Sequence, residues 1–412
     1  MSSLVATPAL RQYLLITGNY WAFTLTDGAL RMLVVLHFHQ MGYTPLQVAA
    51  LFLFYEIFGV LTNLLGGYLA ARIGLNRTMN IGLGLQVAAL MMLAVPTVAL
   101  TVPWVMAAQA LSGIAKDLNK MSAKSSIKLL VPRDAEGQLY RWVARLTGSK
   151  NALKGIGVFL GAALLATVGF RAAVVVMAGV LALVWLFSLI LLQKDWGKAT
   201  AKPKFREVFS KSPAINRLSA ARLFLFAARD VWFVVALPVY LGQVLGWSVA
   251  QVGGFLALWV MGYGGVQAFA PTITGNAGGL LPDGRAAWQW ALGLTVIPVL
   301  LAFGLSAVAP NLLGLQAVIV AGLLGFGAVF AVNSSLHSYL IVSYAKSDGV
   351  SLDVGFYYMS NAVGRLLGTL LSGAMYQLYG LVACLWVSAV CVALAALLSR
   401  GLPRLSTSVV SV

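Results

Sequence analysis

Polar and apolar positions alternate along this chain on the scale of whole helices. Apolar runs of about 20 residues or more, the length a helix needs to cross a bilayer, recur from Tyr13 to Ser399 and are separated by short polar connections. The pattern predicts twelve helices, at about 13–38, 46–71, 78–97, 104–128, 142–166, 172–193, 215–241, 248–273, 286–308, 312–337, 351–375 and 380–399. The stretch 13–38 is too long and too charged for the core of a cleavable leader, so it is read as the first helix. The longest polar segment divides the chain into an N-terminal six-helix bundle (1–193), a central loop (194–213) and a C-terminal six-helix bundle (214–412). The halves echo each other. Asp27, Gly42, Gln47 and Val48 are matched by Asp230, Gly246, Gln251 and Val252, and Asn151, Ala152 and Gly169 by Asn361, Ala362 and Gly380, at offsets of 203 to 211 residues. Two such matches indicate a duplicated unit, and halves related by an axis along the membrane normal are a transporter architecture.

Composition agrees with lipid as the solvent. Charged residues are 9% of the 412 and hydrophobic ones 60%, against roughly 25% charged in a soluble domain. The net charge of +17 would suit a nucleic-acid partner, but its distribution excludes one. The cations gather in alternate loops: Arg72 and Arg77; Arg133 and Arg141; Lys194, Lys198, Lys202, Lys204, Arg206 and Lys211; Arg285; Lys346; with Arg11, Arg400 and Arg404 in the tails. The intervening loops carry only Arg171. By the positive-inside rule both termini and the central loop are expected in the cytoplasm. Cys384 and Cys391 share one apolar run and read as packing residues. No metal-ligand cluster, nucleophile–base spacing or cofactor motif is present, so no metal, cofactor or enzyme activity is expected.

Charges inside the spans are the most informative feature. They concentrate in the first, second, fourth, fifth, seventh and eleventh helices. Each costs at least about 2.5–3.5 kcal/mol at the bilayer centre unless it faces a polar cavity, so these helices should line one. Near mid-span lie Arg31, Lys116, Lys120, Lys150, Lys154, Arg229 and Arg365, against the acids Asp27, Glu56, Asp117 and Asp230. An excess of cations in low dielectric calls for a visiting anion. Lys116, Lys120, Lys124 and Lys128 form one stripe at i,i+4 spacing and Lys150 and Lys154 a second, together resembling an access path from the cytoplasm. Lysine and arginine suit phosphate-like groups, and Asn119, Asn151, Ser122, Ser125, Asn63 and Gln86 could add neutral hydrogen bonds. Other readings stand beside these. Lys124, Lys128 and Arg145 could snorkel to the interface. Asp27 and Arg31 could neutralise each other. Arg229 and Asp230, about 100° apart, need separate partners, and Asp230 could pair with a lysine of the fourth or fifth helix. Glu56 could carry a coupling proton or pair with a cation of the fourth or eleventh helix. His37 and His39 sit at the outer end of the first helix as interfacial residues. Gly157 and Gly161, and Gly364 and Gly368, mark close helix approaches.

After the second helix the chain carries Gly67, Arg72, Gly74 and Arg77 at the spacing G-x-L-x-D-R-x-G-x-x-R, with Ala71 where the pattern has Asp. This resembles the gating-loop signature of the major facilitator superfamily, which implies two pseudo-symmetric six-helix bundles. The stretches 17–31 (TGNYWAFTLTDGALR), 74–80 (GLNRTMN), 115–124 (AKDLNKMSAK), 148–154 (GSKNALK) and 228–233 (ARDVWF) further resemble the organoarsenical efflux permeases. That resemblance implies export of 1-arseno-3-phosphoglycerate from the bacterial inner membrane, with glyceraldehyde-3-phosphate dehydrogenase producing the substrate from arsenate. The charge pattern alone suits an organophosphate equally well.

Overall fold

In lipid the backbone must satisfy its own hydrogen bonds, which leaves helices for apolar runs of this length. The computed structural model describes residues 8–43, 51–132, 135–193, 196–200, 203–209, 211–275, 281–307 and 312–404. Gln47, Val48, Arg133, Lys194 and Lys202, and the side chains of His39 and Arg206, lie outside the described residues. Among the described residues there are helices and no strand. The N-terminal half holds α1 (Pro8–Gln40), α2 (Leu53–Ile73), α3 (Leu75–Leu93) and α4 (Val102–Leu130). The stretch Glu136–Leu191 is broken at Gly169 into α5 (136–168) and α6 (170–191). The C-terminal half holds α7 (Pro213–Gln243), α8 (Val249–Thr274), α9 (Gly284–Ala307) and α10 (Leu312–Tyr344). Val350–Arg400 is broken at Gly380 into α11 (350–379) and α12 (381–400).

These are the twelve expected spans. Among the described residues, seven helical stretches, the two broken ones included, are long and apolar enough to cross a membrane unaided. The helices α1, α3 and α4 fall short because their spans carry polar and charged residues. The glycines that mark the internal echo have a common backbone role. Gly42 and Gly246 have φ of 88° and 69°, and Gly169 and Gly380 have 78° and 76°. A side chain is strained in that left-handed region, so each half needs glycine at the same turns.

The paired glycines also set helix distances. A Cβ at Gly157 would lie 2.7 Å from the Leu25 carbonyl, and one at Gly161 would strike the Ala29 carbonyl, so α5 lies directly on α1. A Cβ at Gly364 would strike the Leu223 carbonyl and one at Gly368 would lie 2.8 Å from that of Ala227, so α11 lies on α7 in the same way. These two contacts bring the charged rows of α5 and α11 against those of α1 and α7.

The two halves close on each other at the face that carries the basic loops. Ser351 Oγ donates to the Gly67 carbonyl at 2.9 Å, and Lys128 Nζ to the Ser343 carbonyl at 3.0 Å. Glu136 accepts from Tyr339 at 2.9 Å and Ser343 at 3.2 Å. The apolar core of the N-terminal half continues there into Leu336, Tyr339, Val354 and Tyr357 of α10 and α11. The central loop straps this face. Ala199 N–H donates to the Ala71 carbonyl at 2.9 Å and Leu75 N–H to the Trp196 carbonyl at 2.7 Å. Thr200 N–H reaches Asp348 at 2.9 Å in the other half. Backbone bonds from the loop thus hold the turn at Ala71, where the signature would have an acid.

Placing a large side chain at Gly161 or Gly364 should separate the paired helices. Gly161→Leu and Gly364→Leu are expected to lose about 1–3 kcal/mol by overpacking, read as a lowered melting temperature in detergent. Gly179→Leu, which meets nothing within 4 Å, should melt like the parent.

Candidate functional site

The glycine-set contacts and the closed basic face leave a charged chamber between the halves, with a volume of about 310 Å³. Arg31, Lys116, Lys120, Lys150, Lys154, Arg229, Arg365 and Asn151 line it, with Asp27 and Asp230. Sequence reasoning missed or misplaced further lining residues: Lys124, Arg222, Tyr55, Tyr358, Asn361 and Gln267. Lys124 does not snorkel. It is 3% exposed and donates to Tyr358 Oη across the halves. The stripe on α4 is therefore sealed at the basic face in this conformation and is no open path there. Exposure rises toward the opposite face, from buried Lys124 through Lys120 at 11% and Lys116 at 17% on the stripe to Glu56 of the adjoining α2 at 35%. The chamber is reached from that opposite face.

Asn119 lies elsewhere. It is buried against Gly82 of α3 and bonds the Ala115 carbonyl of its own helix at 3.0 Å. Asn63, Gln86, Ser122 and Ser125 are likewise buried away from the chamber. Gly67, Arg72, Gly74 and Arg77 stand at the basic face, where Arg72 donates to Tyr68 Oη at 3.1 Å. Arg145 is exposed, and His37 stacks on Phe170 at 4.1 Å.

Ion pairing differs from expectation in two places. Asp27 and Arg31 do not neutralise each other: Asp27 accepts from Tyr55 Oη at 2.7 Å, and Arg31 reaches Glu56 at 2.9 Å. Arg229 and Asp230 do pair, at 2.5 Å, because the long arginine side chain curls back over the intervening angle. Asp230 also faces Arg365 at 3.5 Å and no lysine of α4 or α5. Glu56 bridges Arg31 and Arg365, the latter at 3.4 Å. Asp117 holds Lys120 at 2.5 Å and Lys116 at 3.9 Å.

Among the described residues, nine cations thus meet four carboxylates at the chamber. Glu56, Asp117 and Asp230 serve five of the nine, and Asp27 serves a tyrosine. Among the described residues, Lys124, Lys150, Lys154 and Arg222 form no ion pair with a carboxylate, and Lys154 feels the charge of Asp27 only from beyond ion-pair distance. Arg222 rests on neutral groups, with Nε on Asn361 Oδ1 at 2.9 Å, Nη1 on Ser334 Oγ at 3.0 Å and its plane 4.1 Å from Phe226. Tyr358 lies under Lys120 and Lys124 at 4.7 and 4.8 Å. Aromatic faces stabilise cations without cancelling their charge. No group of three or more His, Cys, Asp or Glu side chains arranged for a metal occurs among the described residues. The arrangement can bind a small multiply charged anion from both halves at once.

Residues 13–341 match the family model described as the Major Facilitator Superfamily. The chain belongs to the Major Facilitator Superfamily. It is accordingly a multi-pass membrane transporter, with a small-molecule substrate and the bilayer as its partner. Solved structures of like fold include the human organic anion transporter MFSD10 (TETRAN), 19% identical with TM-score 0.72 over 95% of this chain and 99% of that one. Another is a bacterial homologue of the iron transporter ferroportin in an outward-facing state, 15% identical, TM-score 0.73, covering 95% and 99%. The E. coli fucose:proton symporter FucP is 11% identical, TM-score 0.73, covering 95% and 98%. No curated protein sequence matches closely.

In this superfamily transporter, cations with and without counter-charges should respond oppositely to neutralisation. Lys124→Met removes one like charge from a cluster and should leave the melting temperature unchanged or raised. Asp230→Asn strips the partner from Arg229 and Arg365 and should cost about 1–3 kcal/mol, less than a fully buried pair because Arg365 is 33% exposed. A melting curve of each purified variant reads the difference.

Proposed function

We propose that this transporter exports a small organic polyanion by alternating access, and that the substrate is 1-arseno-3-phosphoglycerate. The observation that carries the reading is the set of four cations, from both halves, that form no ion pair with a carboxylate among the described residues. A chamber of about 310 Å³ is at the small end of ligand pockets and suits a three-carbon spine with two tetrahedral oxyanions. The arsenical identity rests on the family resemblance of the stretches around Asp27, Asp117, Lys150 and Asp230. On this reading the basic face is cytoplasmic and the membrane is the bacterial inner membrane. The substrate enters when the basic face is open, binds between Lys150, Lys154 and Arg222, and leaves from the conformation described above. An inside-negative potential assists each negative charge outward by about 2.3 kcal/mol per 100 mV. Glyceraldehyde-3-phosphate dehydrogenase supplies the substrate. Because arsenate and phosphate are near-isosteric, the same chamber supports a second reading, an organophosphate transporter or exchanger of the same fold.

Arsenate-sensitive bacteria expressing the chain with that dehydrogenase should survive arsenate and hold less cellular arsenic. Lys150→Gln and Lys154→Gln, inserted normally in the membrane, should lose at least about tenfold of the export rate, as a charge-assisted contact is worth about 1.5–3 kcal/mol. Protection that does not need the dehydrogenase would remove the arsenical substrate. Normal export by both variants would remove the site.

A further inference from the structure

The four carboxylates at the chamber are not equivalent. Asp117 and Asp230 are almost fully buried, Asp117 beside two lysines of its own helix and Asp230 between Arg229 of its own helix and Arg365 of the same half. Asp27 is occupied by Tyr55. Glu56 is different: it is 35% exposed, stands on the open side, and a single oxygen, Oε1, faces guanidinium groups from opposite halves, Arg31 at 2.9 Å and Arg365 at 3.4 Å. Carboxylate oxygens between two guanidinium groups are the arrangement a phosphate or carboxylate head would adopt there. Deeper in the chamber, Lys124, Lys150 and Arg222 have no such carboxylate.

We propose that Glu56 is a tethered stand-in for one head group of a two-headed anion, and that its competition for Arg31 and Arg365 lowers the affinity for two-headed solutes while leaving that for one-headed solutes unchanged. The inference rests on the polyanion reading above and adds a specificity-determining residue to it. One oxyanion of the substrate takes the deep cations that lack a counter-charge. The second oxyanion displaces the Glu56 carboxylate from Arg31 and Arg365 and links the two halves in its place. A solute with one head fills the deep end and leaves Glu56 where it is. Because Glu56 is attached to α2, its displacement costs the ion pairs it makes, and only a second head group recovers them. Arg365 is the hinge of the exchange, since its Nε side already faces Asp230 at 3.5 Å and keeps that partner throughout.

The test compares two stable probes with the same spine, propane-1,3-bisphosphonate and propylphosphonate, by calorimetric titration of the purified full-length protein. In the parent both bind, the bisphosphonate more tightly. Glu56→Gln removes the competing charge and should tighten the bisphosphonate on the order of fivefold more than it tightens the monophosphonate, the scale of a part-exposed ion pair. Glu56→Asp keeps the charge on a shorter stem and should stay close to the parent ratio, which separates charge from a packing defect. An equal change for both probes, or a weaker bisphosphonate in Glu56→Gln, overturns the role of Glu56 while leaving the anion site intact. Failure of the parent to bind either probe overturns the polyanion reading and the inference with it.

Discussion

Positive charge without a counter-charge, held inside a low-dielectric membrane, is the constraint around which this molecule is organised. An ion taken from water into a protein interior costs several kcal/mol even after relaxation. Five chamber cations meet that cost through Glu56, Asp117 and Asp230. Lys124 and Arg222 meet part of it through neutral oxygens and aromatic faces. Lys150 and Lys154 keep no ion pair among the described residues. A fold optimised for stability alone would replace these groups by apolar ones. Their presence at a chamber lined by both halves supports the proposed anion site.

The helix packing serves that charge distribution. Glycine contacts of α5 on α1 and of α11 on α7 repeat the same approach in both halves, so the cationic rows of one half face those of the other across the chamber. At the basic face α5 and α11 join α2, α4 and α10 in a shared apolar core and a belt of hydrogen bonds. The central loop adds backbone bonds around Ala71 that also tie to Asp348. Rocking one half against the other, the transporter movement expected of duplicated bundles, must break this belt and loosen the strap. The absence of an acid at position 71 then shifts the holding of that turn from a side-chain charge to the loop backbone.

Much of this was legible in the sequence, for physical reasons that also mark where legibility stops. Spans follow from hydropathy because lipid admits little else, and the paired turns at Gly42 and Gly246 and at Gly169 and Gly380 follow from a backbone need that only glycine meets cheaply. Intramembrane charges announced the chamber because each is costly elsewhere. Depth and partner choice were not legible. Lys124 looked interfacial because its seal, Tyr358, is 234 residues away. Arg222 was missing from the mid-span cations because Asn361 and Ser334 reach it only through packing of α10 and α11 on α7. Asn119 sits one position from a chamber lysine on α4 yet points to α3, since neighbouring helical residues diverge by about 100°. The pairing of Arg229 with Asp230 defied the same rule because arginine is long enough to turn back.

The most direct test of the central claim is anomalous diffraction at the arsenic absorption edge from crystals of the protein soaked in arsenate. The account predicts a peak inside the chamber, among Lys124, Lys150 and Arg222, that disappears in crystals of Arg222→Gln. Peaks confined to the loops of the basic face, with the chamber empty at saturating arsenate, would contradict it.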